Sequence, residues 1–196
     1  MYIILEGIDR TGKTTLQKEI FKFYENLHCT IYFDKIINIA EPEIIGVKPK
    51  DLSEDFTRGF YSGMTEMKKN IINSTQHYLG IMSRYHISEI VFSIYGKRTK
   101  IENSDLLFEY YEKVLSKSDI IILCKSTYNT HVSRCVEKSD NYFNKEDFNY
   151  LVNMYEAFTK LSKCKILEYN SDNFLGCPEN FIKEYTEVFT SGITYN

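Results

Sequence analysis

Short β-rich runs alternate with longer amphipathic stretches along this chain. Tyr2 to Leu5 is an apolar run ending in a glycine turn. Lys13 to Leu27 follows, with Leu16, Ile20, Phe23 and Leu27 at helical spacing, so the segment reads as strand, loop, helix. Thr30 to Ile39 is β-branched and aromatic and contains a second strand, Asp55 to Asn73 is helical in pattern, and His77 to Met82 reads as a third strand. Helical patterns resume over Tyr85 to Tyr95 and over Ser104 to Ser116. Asp119 to Cys124 (DIIILC) is continuously apolar, as expected of a strand at the core of a sheet covered on both faces. Thr127 to Glu137 and Lys145 to Leu161 read as helices separated by the polar stretch Lys138 to Asn144, with Asn144 as N-cap before the acidic turn Glu146, Asp147. Lys165 to Tyr169 is a last short strand, and Pro178 opens a closing helix through Phe189.

Strands alternating with helices predict a three-layer α/β fold, a central parallel sheet with helices on both faces, whose ligands bind beyond the carboxyl ends of the strands. No repeat, low-complexity tract or linker marks a boundary, so residues 1–196 read as one domain. Hydrophobic residues are 43% and charged residues 26%, the balance of a folded chain. The net charge of -3 supplies no overall positive field, which argues against nucleic acid or an anionic membrane as partner and requires any phosphate site to be built locally. The five cysteines are scattered without metal-ligand spacing and read as reduced thiols. With no long apolar segment and no cleavable signal, the expected compartment is the cytoplasm.

Gly7-Ile8-Asp9-Arg10-Thr11-Gly12-Lys13-Thr14 matches G-x-x-x-x-G-K-[ST] in full, between a predicted strand and helix. The glycines let successive amides face a phosphate with the positive end of the next helix behind them. Lys13 is placed to reach the β- and γ-phosphates of a triphosphate, and Thr14 to offer its hydroxyl to Mg2+; Thr11, Gly12 and Thr15 complete the expected phosphate cradle. Asp9 and Arg10 are unusual inside such a loop. An arginine there can stabilise the charge of a transferring phosphoryl group, and an aspartate can accept a hydrogen bond from a substrate hydroxyl.

The segment LEGIDRTGKTT resembles the phosphate loop of thymidylate kinases, and Ser83-Arg84-Tyr85-His86-Ile87-Ser88 resembles the D-R-Y-x-x-S segment of thymidylate kinases and related deoxynucleoside kinases. The resemblance implies an ATP- and Mg2+-dependent kinase. Asp9 would then hold the 3′-hydroxyl of a deoxynucleotide, Arg10 the transferring phosphate, and Arg84 the acceptor monophosphate beside Tyr85. Glu41-Pro42 resembles the glutamate–proline pair of both subfamilies. In deoxynucleoside kinases that glutamate is the base for a sugar 5′-hydroxyl, so the acceptor is either a deoxynucleoside monophosphate or a deoxynucleoside. Arg58 resembles a substrate-side arginine. The polar stretch from Arg134 to Asn144 resembles the lid, with Arg134 and Lys138 closing over the triphosphate. Ser83 departs from the pattern, which has an acid there. Glu6, Asp9 and Glu41 are the acids that could compensate; if none does, the chain is a regulatory nucleotide-binding protein with weak transfer. The aromatic series Phe143, Phe148, Tyr150, Tyr155 and Phe158 reads as helix packing, and His28, His77, His86 and His131 as structural or surface residues. The oligomeric state is open, a homodimer included.

Overall fold

The computed structural model describes residues 1–27, 35–39, 62–63, 65–66, 69, 78–97, 104–174 and 177–191. Among the described residues five strands, β1 (Tyr2–Glu6), β2 (Lys35–Ile39), β3 (Tyr78–Ser83), β4 (Ile120–Lys125) and β5 (Lys165–Asn170), form one sheet in the order β2-β3-β1-β4-β5. Every pairing is parallel. The helices with bounds among the described residues are α1 (Lys13–Asn26), α2 (His86–Tyr95), α3 (Ser104–Glu112), α4 (Tyr128–Glu137), α5 (Lys145–Leu161), α6 (Pro178–Glu184) and α7 (Thr186–Ser191). No helix among the described residues is long and apolar enough to cross a membrane.

Alternation along the strands makes two cores. Tyr2, Ile4, Met82, Ile121 and Leu123 face one side and pack with Ile90, Phe108, Leu151 and Phe158 of α2, α3 and α5. Ile3, Leu5, Leu79, Ile81, Ile120 and Ile122 face the other and pack with Leu16, Ile20, Phe181 and Phe189 of α1, α6 and α7. Because both faces are covered, strands with period-2 geometry carry apolar residues at nearly every position. This is the three-layer arrangement expected. The DIIILC strand lies between β1 and β5, while β1 holds the middle of the sheet. The carboxyl ends of β1 and β3 are adjacent, with Leu5 opposite Ser83, and that adjacency builds the site.

Element boundaries differ from the sequence expectation at several places. The helix over Ser104 to Ser116 stops at Glu112, because Glu112 is tied to His86 Nε2 at 2.8 Å and to Ser162 Oγ at 2.6 Å and the chain then turns into β4. That turn is held by Asp119, whose carboxylate accepts from the backbone N–H of Ser116 at 2.8 Å and of Tyr2 at 2.7 Å. The closing helix is interrupted at Tyr185, which carries φ -105, and its two halves bring Phe181 and Phe189 into one cluster. The apolar strand runs one residue later than expected, Ile120–Lys125. Of the helical stretch Asp55 to Asn73, the described residues Ser62, Gly63, Thr65, Glu66 and Lys69 are helical.

Candidate functional site

The loop between β1 and α1 takes the shape its glycines permit. Gly7 has φ 140, and a side chain there would collide with the carbonyl oxygen of Cys124 on β4. Gly12 has φ 91 and serves as the N-cap of α1. Arg10 between them adopts φ 63, a left-handed conformation that costs an L-residue energy and is tolerated where the surroundings enforce it. Lys13 is buried, and its ammonium donates to the carbonyls of Gly7 at 3.0 Å and Ile8 at 2.6 Å. Thr11 Oγ1 donates to Ile8 O at 2.8 Å, whereas Thr14 and Thr15 are exposed on the first turn of α1. The loop therefore holds a desolvated cation behind the positive end of a 14-residue helix, with an exposed hydroxyl at its lip.

Arg84 follows β3 and also lies in the left-handed region, with φ 65; its backbone N–H donates to Leu5 O at 2.8 Å. Its side chain is only 4% exposed and turns inward over the loop. Nη1 donates to Gly7 O at 3.0 Å, to Ser88 Oγ at 3.2 Å and to Tyr155 OH at 3.0 Å, while Nη2 pairs with Asp9 Oδ1. The guanidinium lies over the Phe92 ring, 5.1 Å from its centroid. Asp9, whose side chain is 46% exposed, thus meets Arg84 at the loop.

Glu6 closes the floor. One carboxylate oxygen accepts from Tyr85 N at 2.9 Å, and the other from Ser88 N at 3.2 Å and from the Ser88 hydroxyl. A buried carboxyl at the N-terminus of α2 satisfies amides that no local cap reaches. Burial pushes the Glu6 carboxyl above its ordinary value, while His86, Ser88 and Arg84 draw it back part of the way. Tyr85 OH shares a 2.7 Å hydrogen bond with Thr65 Oγ1.

The segment after β4 reaches the loop from the opposite side. Arg134 Nη1 donates to Arg10 O at 3.0 Å and to Ser171 Oγ at 2.9 Å, and Asp140 pairs with the Arg10 guanidinium. Lys138 is exposed at the C-cap of α4. His131, which sequence reasoning left as structural or surface, is fully buried. Its Nδ1–H donates to Asp9 O at 3.0 Å, and its ring stacks on Phe143. Burial lowers its pKa, against the pull of Asp9.

The structure therefore brings together Gly7, Asp9, Arg10, Thr11, Gly12, Lys13, Arg84 and Arg134, with Thr14 and Thr15 at the rim. Glu41 and Arg58 lie outside the described residues. One contribution that sequence reasoning missed is Tyr155, placed with the packing aromatics although its hydroxyl bonds to Arg84; helical spacing identifies the buried face but not a polar atom at its tip. Two acids that could stand in for the one missing at Ser83 are already engaged, Glu6 by the first turn of α2 and Asp9 by Arg84. Ser83 Oγ is itself buried without a hydrogen-bond partner among the described residues. Among those residues no cluster of acidic, histidine and cysteine side chains could hold a metal alone. Thr14 fits Mg2+ in the other way the ion is bound, through one protein oxygen with phosphate oxygens and water supplying the rest.

The Asp9–Arg84 pair has a pH consequence. Burial against the loop opposes ionisation of Asp9, but Arg84, with Lys13 and Arg10, outweighs it and holds the carboxyl below the ordinary aspartate value. A lowered folded-state pKa contributes stability that is complete above the unfolded value of about 3.9 and is lost as pH falls through the lower folded value. Asp9→Asn should flatten the acid limb of a Tm-against-pH series below about pH 4; parallel limbs in mutant and wild type would show that the pair does not form.

No protein-family model and no curated protein sequence matches the chain. Solved structures do. YorR protein from Bacillus subtilis, in complex with phosphorylated GDP, is similar over 100% of both chains at 16% identity and TM-score 0.62. Deoxyadenosine kinase from M. mycoides, with dCMP and a flexible dCDP bound, matches 95% of this chain and 98% of its own at 16% identity and TM-score 0.60. Thymidylate kinase from Ehrlichia chaffeensis matches 94% and 97% at 15% identity and TM-score 0.53. The chain thus has the fold of the P-loop nucleoside and nucleotide kinases.

Proposed function

We propose that this chain is a phosphotransferase of the cytoplasm that moves the γ-phosphoryl group of ATP, with Mg2+, to a deoxynucleoside monophosphate, thymidylate foremost. The observation that carries the reading is the meeting of a complete phosphate loop, with Lys13 buried in it, and a second cation, Arg84, at the adjoining strand end. Two phosphate-binding groups on neighbouring strands suit a reaction between two phosphorylated ligands. An oxygen of the acceptor phosphate attacks the γ-phosphorus as the bond to the β–γ bridging oxygen breaks, and no proton need be removed from an already ionised acceptor. Lys13 moves from the carbonyls of Gly7 and Ile8 onto the β- and γ-phosphates, and Arg10 bears on the transferring group. Arg84 holds the acceptor phosphate, and Asp9 accepts from its sugar hydroxyl. Bound at Thr14, Mg2+ would supply neutralisation of the donor phosphate oxygens. In this reading Arg134 and Lys138 belong to a lid over about 134–144 of a single domain.

One observation favours a second reading. Arg84 is already paired with Asp9, so part of its charge is spent before any ligand arrives, which suits a neutral deoxynucleoside acceptor with Glu41 as base. An acceptor screen with ATP and Mg2+ decides. Transfer to thymidylate or another deoxynucleoside monophosphate above any nucleoside is the expected result; preference for thymidine makes it a deoxynucleoside kinase, and donor binding without transfer to any acceptor makes it a regulatory nucleotide-binding protein.

A further inference from the structure

Tyr155 lies on α5, the helix that begins directly after the loop 138–144, and its position matches none of the motifs that identified the loop or Arg84. It is buried, and its hydroxyl is 3.0 Å from Arg84 Nη1 and 2.9 Å from Ser88 Oγ. Ser88 in turn donates to Glu6, so the order of donation is fixed. Arg84 donates to Tyr155, Tyr155 to Ser88, and Ser88 to Glu6, a chain of three successive donations. The same tyrosine ring meets Phe92 edge-on at 6.3 Å and 81°, and Phe92 is the ring beneath the Arg84 guanidinium. One side chain therefore touches the end of Arg84 through its oxygen and the support of Arg84 through its ring.

We propose that Tyr155 is a positioning residue, whose hydroxyl sets the direction of the Arg84 guanidinium and so couples α5 to acceptor-phosphate affinity. An arginine recognises a phosphate through two parallel N–H groups, and the orientation of its plane decides whether both are presented. With Nη1 held by Gly7 O, Ser88 and Tyr155, the guanidinium plane is fixed, and Nη2 is left at the cleft edge beside Asp9. Without the hydroxyl, Arg84 keeps its charge but gains rotational freedom.

The inference rests on Arg84 being the acceptor-phosphate group, and the test separates the two. Thymidylate and ADP are titrated calorimetrically into wild type, Tyr155→Phe and Phe158→Leu. The last is a buried change on α5 whose ring packs against Phe108. Loss of a hydroxyl partnering a charged group should weaken thymidylate binding roughly tenfold in Tyr155→Phe, with ADP affinity unchanged. Phe158→Leu should lose Tm with both affinities unchanged. Equal thymidylate affinity in Tyr155→Phe and wild type, or equal weakening of thymidylate and ADP, overturns the positioning role. A wild type that binds ADP but no monophosphate removes the acceptor reading and this inference with it.

Discussion

Lys13→Ala should leave a folded protein whose phosphoryl transfer has fallen by roughly 10²–10³-fold or more, the size expected when a preorganised donor to the transition-state charge is deleted from a dry site. The ammonium is buried and spans the loop, donating to Gly7 O and Ile8 O, and in the proposed function it exchanges those carbonyls for the β-phosphate. Its removal leaves two carbonyls without that donor, at a cost of about 1–3 kcal/mol, and a chain of this size loses about 2–4 °C of Tm per kcal/mol. Activity and stability should therefore separate clearly. ATP turnover and thermal melts of the two proteins, measured side by side, provide the check: undiminished turnover in the mutant would remove the phosphate loop from the chemistry.

The features legible in the sequence were those whose information is local. The phosphate loop occupies eight consecutive residues, and its two glycines meet the backbone requirement found at Gly7 and Gly12. The strands of the sheet were legible because each is short and apolar between turns. What was not legible depends on which strands become neighbours. Asp9 and Arg84 are 75 positions apart and pair only because β1 lies beside β3. Glu6 ends a strand like any polar boundary residue, yet it caps a helix 79 positions downstream. His131 offers no ligand spacing and packs like an aromatic, but its ring nitrogen reaches the loop carbonyl of Asp9. In each case the residue type was ordinary for its element and the function lay in a tertiary contact. Helix ends failed for the same reason: α3 stops at Glu112 because of partners on α2 and beyond α5, not because of a local breaker.

Arg84→Ala should separate the two acceptor classes. A monophosphate brings about two negative charges to the cleft, and the guanidinium gives it charge-assisted hydrogen bonds that a neutral nucleoside cannot use. For a monophosphate kinase the loss should be about 2–4 kcal/mol in kcat/KM, roughly 30- to 1000-fold, comparable to deleting one partner of a desolvated charge pair. The structure adds a second effect. Arg84 is buried with Gly7 O, Ser88, Tyr155 and Asp9 around it, so its removal also strips Asp9 of its counter-charge and loosens the loop. Arg84→Lys distinguishes these contributions, since it keeps the charge beside Asp9 but cannot present a planar fork to the phosphate. It should recover stability ahead of monophosphate activity. Glu41→Gln should be the milder change, because a phosphate oxygen is already ionised, whereas a sugar hydroxyl must lose its proton during transfer. The measurement is kcat/KM of the Arg84 and Glu41 variants against thymidylate and thymidine, with Tm as control. A wild type that prefers thymidine, together with Glu41→Gln as the more damaging change, transfers the assignment to the deoxynucleoside kinases and leaves Arg84 as a partner of Asp9 in the architecture of the loop.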